Sequence, residues 1–217
     1  HVGSQIFDGE VYIATSRVML KFIADMEREL GFICRDLDIG GGLGVRYVES
    51  QPVLDIKATI LSVAEDMKAT ASELGITLPR ISLEPGRSIV ADAGLTLYTV
   101  GTVKRIPGYK SYVSVDGGMT DNPRFALYGS PYTILPVFDG EGEKENCSVV
   151  GRCCESGDIL QENVPMRKDV QRGDLLACLT TGAYHYSMAS NYNRIPRPPV
   201  VMLKNGESYV AVYRETV

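Results

Sequence analysis

Near residue 93 the chain changes rhythm, and that change limits what it can fold into. Before it, apolar residues at helical spacing alternate with short extended runs that end in glycine or polar residues. Thr15 or Ser16 stands where a helix cap is expected, Met19, Phe22, Ile23, Met26 and Leu30 recur at helical spacing, and Gly31 supplies a stop. An extended run over residues 35–39 leads into Gly40, Gly41, Gly42 and Gly44. A second helical stretch has Pro52 in its first turn, Val53, Ile56, Ile60, Val63, Met67 and Leu74 on one face, and Gly75 at its end. A strand over 80–83 then runs into Glu84-Pro85-Gly86-Arg87. This order predicts a parallel α/β layer over residues 1–93. Beyond it, β-rich runs at 95–103, 112–115, 147–150, 175–180, 200–203 and 209–213 follow without a long helical pattern. They predict an antiparallel β-barrel or sandwich over residues 94–217. The charged, glycine-bearing stretch 139–146 reads as a solvated loop.

With 44% apolar and 23% charged residues, such a chain can bury a core. Its net charge of -5 argues against nucleic acid or an anionic membrane as a partner, since both need a basic surface. No apolar run approaches the roughly 20 residues that cross a bilayer. Cys34, Cys147, Cys153, Cys154 and Cys178 lack zinc-type spacing, so no metal is expected, and they are too few for a disulfide scaffold. Reduced thiols in a cytoplasm are the expectation. The sequence opens on His1 as if in mid-strand, and a fragment of a longer chain is expected.

Each motif has an ordinary reading beside a functional one. Gly40-Gly41-Gly42-Leu43-Gly44 after a strand can bring backbone N–H groups close to a phosphate, with a following helix N-terminus favouring the charge, or it can be a tight turn. It lacks the dinucleotide fingerprint, because Val45 stands where the last glycine is needed. Glu84-Pro85-Gly86-Arg87 puts an acid and a base at a strand end, where ligands of α/β layers sit, or it is a surface ion pair. His1 alone is more often structural, and Asp116-Gly117-Gly118-Met119 can be a turn. In Cys154-Glu155-Ser156-Gly157-Asp158 the adjacent acids raise a thiol's pKa, which suits a proton donor or a structural cysteine better than a nucleophile. Gly182-Ala183-Tyr184-His185-Tyr186 can be an aromatic strand edge.

Together these motifs, in this order, resemble the fold-type III pyridoxal-phosphate (PLP) decarboxylases over essentially the whole chain. The similarity is greatest to diaminopimelate decarboxylases, through His1-Val2-Gly3-Ser4-Gln5, Leu37-Asp38-Ile39-Gly40-Gly41-Gly42, Glu84-Pro85-Gly86-Arg87-Ser88, Val115-Asp116-Gly117-Gly118-Met119, Cys154-Glu155-Ser156-Gly157-Asp158 and Tyr186-Ser187-Met188-Ala189-Ser190-Asn191-Tyr192-Asn193. The last two runs are the specific ones. The glycine and Glu-Pro-Gly-Arg motifs are shared with relatives acting on ornithine or arginine.

The resemblance implies the later strands of a PLP-binding (β/α)8 barrel followed by a β domain. It also implies decarboxylation of meso-2,6-diaminopimelate to L-lysine, the last step of lysine biosynthesis. The Schiff-base lysine is expected upstream of His1, since Lys21, Lys57 and the other lysines here lack its context. His1 would lie against the PLP ring, and Ser4, Gly41, Gly42, Gly86 and Arg87 would serve the cofactor, largely at its phosphate. Glu84 would face the pyridine nitrogen and keep it protonated. Arg124 and Tyr128 would take the substrate's distal carboxylate and Glu155 its ammonium, with Arg87 and Tyr184 also on the substrate side. Tyr184 would touch the phosphate too. Cys154 would return a proton to carbon after CO2 leaves. In this family Cys154 and Glu155 come from the neighbouring subunit, so a homodimer with shared sites is implied. Phe125 stands where the family usually has proline, which could shift the loop carrying Arg124. The rival readings are a sister decarboxylase for lysine, ornithine, arginine or carboxynorspermidine, and a non-catalytic regulatory homologue.

Overall fold

The computed structural model describes residues 1–138 and 140–216, in two compact units, His1–Val90 and Ala91–Val217. The first contains α1 (Glu10–Leu30), β1 (Asp36–Asp38), α2 (Ile56–Leu74), β2 (Arg80–Ser82) and the one-turn α3 (Arg87–Val90).

Helix α1 starts earlier than its sequence suggests. Its N-cap is Gly9, and the Asp8 carboxylate accepts from the Glu10 N–H at 2.9 Å. Thr15 and Ser16 are therefore not caps. They lie inside the helix, where their hydroxyls donate back to the carbonyls of Val11 and Tyr12 at 2.8 and 2.7 Å. That bond lets Ser16 be buried on the inner face with Tyr12, Ile13, Leu20, Ile23 and Ala24. Phe22 and Leu30, expected on that face, point outward at 55% and 72% exposure. Helix α2 is capped by Asp55, which accepts from the Ala58 N–H at 2.9 Å, so Pro52 precedes the helix rather than opening it. Its inner face is Val63, Met67 and Ala71. Gly31 and Gly75 end the two helices in the left-handed conformation, each at φ 68°, which a residue with a Cβ adopts only at a cost.

Strands β1 and β2 pair in parallel, with Leu37 beside Ile81. The ladder continues past the C-terminal ends of the two strands through Ile39 N–H to Ser82 O (3.1 Å) and Glu84 N–H to Gly40 O (2.8 Å). On the other side Ile6 bridges Leu43 in parallel, so three chain segments end next to one another. Leu37, Ile39 and Leu43 form a core with Ile13, Leu20, Ile23, Val63 and Met67 of the helices. Leu20 is wholly buried there, and truncation to alanine costs about 2–5 kcal/mol.

The second unit holds β3 (Leu95–Ile106), β4 (Lys110–Val115), α4 (Arg124–Tyr128), β5 (Ile134–Pro136), β6 (Lys144–Val150), β7 (Ile159–Arg167), β8 (Leu175–Leu179), β9 (Val200–Lys204) and β10 (Glu207–Val212). Six strands form one sheet in the order β5-β8-β3-β4-β6-β7. The β domain expected from the sequence is present, but its sheet is mixed: β4 and β6 run parallel, and the other pairs are antiparallel. A parallel pair needs a long crossover, and α4 and β5 lie in that connection. The edge strands β5 and β7 come side by side, and Tyr132 N–H donates to the Gln161 side chain at 2.9 Å, so the sheet nearly closes. Val100, Val113, Val149, Leu160, Met166, Leu176 and Cys178 fill its interior. Of the stretch expected as a loop at 139–146, Asp139 lies outside the described residues and Lys144 to Asn146 belong to β6. β9 and β10 form a separate hairpin on Asn205-Gly206, whose φ values of 53° and 80° suit a tight two-residue turn.

Candidate active site

In the first unit three motifs distant in sequence meet. Asp38 accepts from the Gly40 N–H at 2.7 Å, and Tyr12 donates its hydroxyl to Gly41 O at 3.1 Å, so the glycine run is held from two sides. Gln5 clamps Val45 by paired 2.9 Å bonds to its N–H and C=O. A Cβ at residue 41 would lie 2.1 Å from Glu84 O, and one at residue 42 would lie 2.1 Å from Gly3 O. Only glycine lets these chain ends approach so closely. The Gly41 N–H points to His1 Nδ1 at 3.4 Å, whereas the Gly42 N–H has no protein acceptor among the described residues. Arg87 is buried, and it donates to Tyr47 Oη at 2.7 Å and to Ser4 Oγ at 3.2 Å. Its guanidinium also lies 5.7 Å from the Tyr47 ring centroid. Glu84 is exposed at the strand end, and among the described residues its carboxylate has no hydrogen-bond or ion-pair partner. No helix follows the glycines directly; α2 begins only at Ile56, so any anion-binding power here comes from the converging backbone rather than a helix N-terminus.

In the second unit one buried carboxylate ties two further motifs together, and separate hydrogen bonds attach a third. Asp158 accepts from the Met119 N–H at 2.6 Å and the Cys153 N–H at 2.7 Å, and Gly118 and Gly151 leave room for it. Asn193 accepts from the Cys154 N–H at 2.7 Å, and Ser190 N–H donates to Thr120 O at 2.8 Å. The Cys-Glu-Ser-Gly-Asp loop is thus held between the Asp-Gly-Gly-Met turn and the Ser-Asn-Tyr-Asn segment. Cys154 and Glu155 are exposed on it. Burial, and then the Asp158 carboxylate, push the neighbouring Cys153 thiol up to about 11.

Arg124 is buried at the start of α4, a five-residue helix where a loop was expected. Its guanidinium lies 5.7 Å from the Tyr128 ring and 5.9 Å from the Tyr184 ring, and it donates to Ser130 Oγ at 3.3 Å. Tyr184 sits at φ 57°, an uncommon conformation for a tyrosine. Beneath these groups, Tyr98 donates to Asp121 Oδ2 at 2.5 Å, and His185 Nε2 lies 3.4 Å from Tyr98 Oη and 3.2 Å from Thr96 Oγ1. Burial raises Asp121 to about 6 against the pull of its bonds from Tyr98 and Gly118, and burial lowers His185 to about 4.

A family model described as the C-terminal sheet domain of pyridoxal-dependent decarboxylases matches residues 11–182. The chain belongs to the pyridoxal-dependent decarboxylase family. It is 46% identical over its whole length to the diaminopimelate decarboxylase of Bacillus subtilis, covering 49% of that protein, and 43% identical to that of Staphylococcus aureus, covering 51%. The crystal structure of M. jannaschii diaminopimelate decarboxylase in complex with L-lysine is similar over the whole chain, with a TM-score of 0.88 at 34% identity and 48% of its own length covered. A lysine/ornithine decarboxylase of Vibrio vulnificus complexed with putrescine is similar at TM-score 0.76 and 26% identity, over 89% of this chain and 50% of its own. The chain spans about half the length of the curated relatives it matches.

The residues of the first unit suit the phosphate of the cofactor that this family uses. Gly41 and Gly42 let the backbone of Glu84 and Gly3 pack where any Cβ would clash, the Gly42 N–H is left without a protein acceptor among the described residues, and the buried Arg87 brings a fixed cation beside Ser4. The structure brings His1, Ser4, Gly41, Gly42, Glu84, Gly86 and Arg87 together in the first unit, and Arg124, Tyr128 and Tyr184 together in the second. It places Cys154 and Glu155 on a different loop of that unit. Tyr47, Tyr12, Asp38, Asp121, Tyr98 and the role of Asp158 escaped the sequence reading. Asp158 and Asp38 carried a usable signal, as acids inside two of the sequence motifs.

Proposed function

We propose that the whole protein decarboxylates meso-2,6-diaminopimelate to L-lysine and CO2 with PLP, as a homodimer in the cytoplasm whose sites take Cys154 and Glu155 from the neighbouring subunit. The first unit is then the later part of a (β/α)8 barrel. The observation that carries the substrate assignment is Arg124, a buried guanidinium framed by the Tyr128 and Tyr184 rings. A fixed planar cation suits a distal carboxylate, which lysine, ornithine and arginine lack.

Bound in the first unit, PLP supplies an electron sink for the pair left when CO2 departs. Arg87 and the Gly42 N–H would hold its phosphate, with Ser4 positioned by Arg87. Glu84, free of protein partners among the described residues, would hold a proton on the ring nitrogen, and His1 would lie beside the ring. Arg124 and Tyr128 fix the distal carboxylate, and Glu155 takes the distal ammonium. Cys154 delivers a proton to the α-carbon, and the bond from its N–H to Asn193 sets the loop that presents it. The test is CO2 release by the whole protein from diaminopimelate, lysine, ornithine and arginine, with and without PLP. Lysine should appear only from diaminopimelate and only with PLP; preference for another substrate sinks the assignment.

A further inference from the structure

We propose that Tyr98, Asp121 and His185 form a buried brace that fixes Arg124 and Tyr184 relative to each other, making Asp121 and His185 positioning residues for the distal end of the amino-acid substrate. The proposal rests on the substrate reading above.

The geometry runs in one direction. An ionised Asp121 only accepts hydrogen bonds, so the Tyr98 proton goes to it at 2.5 Å, and the Gly118 N–H donates to its other oxygen at 2.8 Å. Tyr98 Oη, having given its proton, can accept from His185 Nε2 at 3.4 Å, and Thr96 Oγ1 shares that donor at 3.2 Å. Thr96 in turn meets Thr181 Oγ1 at 2.9 Å. The chain therefore starts at the loop before α4, crosses β3 and ends in the segment after β8. Tyr98, Asp121, Thr181 and His185 are all buried, with Cys178 of β8 and Asp158 nearby.

Each end of the brace adjoins a group assigned to the substrate. Asp121 lies three residues before Arg124, in a turn closed by Asp121 and Asn122 N–H bonds to Gly118 O. His185 directly follows Tyr184, whose left-handed backbone persists in a non-glycine residue only when its surroundings impose it. Thr181 and Gly182 are pinned by N–H bonds to Gly94 O and Ala91 O, His185 O accepts from the Met188 N–H at 3.0 Å, and the buried imidazole adds a side-chain hold on the turn that carries Tyr184 beside Arg124. None of the three is placed to touch substrate; they act through the two side chains that do.

The test uses the whole protein with PLP and three variants: Tyr98→Phe, His185→Leu and His185→Gln, the last keeping an N–H donor. Steady-state kinetics on diaminopimelate and hydrogen–deuterium exchange are measured together. Tyr98→Phe and His185→Leu should raise KM about tenfold with kcat little changed, the loss expected of misplaced binding contacts, and His185→Gln should recover most of it. Exchange should quicken at residues 118–128 and 180–188 and stay unchanged in β6 and β7. Unchanged KM, a uniform rise in exchange across the sheet, or no difference between His185→Leu and His185→Gln would overturn the brace. A wild-type protein that leaves diaminopimelate untouched would overturn the substrate reading instead, and local exchange would still decide the brace.

Discussion

The carbonyl oxygen of Glu84 occupies the place where a side chain on residue 41 would begin, for a Cβ on Gly41 would stand 2.1 Å from it. The atom that closes the glycine run belongs to the residue assigned to the ring nitrogen, so cradle and carboxylate cannot be moved independently. Gly41→Ala should push these strand ends apart, costing about 1–3 kcal/mol of stability and at least tenfold in PLP affinity. Gly142→Ala, whose Cβ would meet Arg167 Cδ at an ordinary 3.8 Å, serves as the control. Thermal melting and PLP titration of both variants check this; equal behaviour would contradict the account.

Glu84→Gln should leave PLP bound and lower kcat by roughly a hundredfold or more, because an amide cannot hold the ring-nitrogen proton by charge. The measurement is kcat at saturating PLP, with bound cofactor followed by absorbance. Turnover within a few-fold of wild type would remove Glu84 from the role.

Cys154→Ala should spare PLP binding and slow or misdirect protonation, read as loss of stereospecific deuterium uptake into lysine in D2O. Asp158→Asn should act on the same loop from beneath. Both carboxylate oxygens accept N–H donors there, and an amide would turn its own N–H toward one of them, at about 1–3 kcal/mol of stability. Stereospecific uptake preserved in Cys154→Ala would show that another group donates the proton.

How far the sequence reached follows from what each element depends on. The helix stops, the parallel strand pair and most strands of the β domain were legible because glycine positions and apolar period are local. The phase of α1 was legible only in part: Ile23 is on the inner face as expected, but Phe22 and Leu30 extend the same period around the helix and only packing selects Tyr12 and Leu20. Strands β5 and β7 were missed because Pro136, Pro165 and Asn163, the last at φ 56°, interrupt their pattern; edge positions tolerate this. The site motifs were legible as motifs. Their buried supports, Tyr47 under Arg87 and Tyr98 under Asp121, were not, because each bond spans a sequence separation that no local pattern marks.

Stability should carry a pH signature from His185. Burial lowers its folded pKa to about 4 from an ordinary 6.5, so its contribution is present above about 6.5 and is lost as pH falls toward 4. Asp121, raised to about 6, acts oppositely: its contribution is present below about 4 and is lost as pH rises through 6. In wild type the two largely offset each other. His185→Gln removes the first, so the variant's stability relative to wild type should improve as pH drops from 6.5 to 4, by up to roughly 3 kcal/mol. Melting temperatures of both proteins across that range test it, and a pH-independent difference would rule it out.

In the proposed function the first unit grips the cofactor by its phosphate. The most direct test is the affinity of the whole apoprotein for PLP against pyridoxal, which keeps ring and aldehyde and lacks the phosphate. The geometry of Ser4, Gly42 and Arg87 predicts PLP binding at least about a hundredfold tighter. Equal affinities for the two would contradict the account.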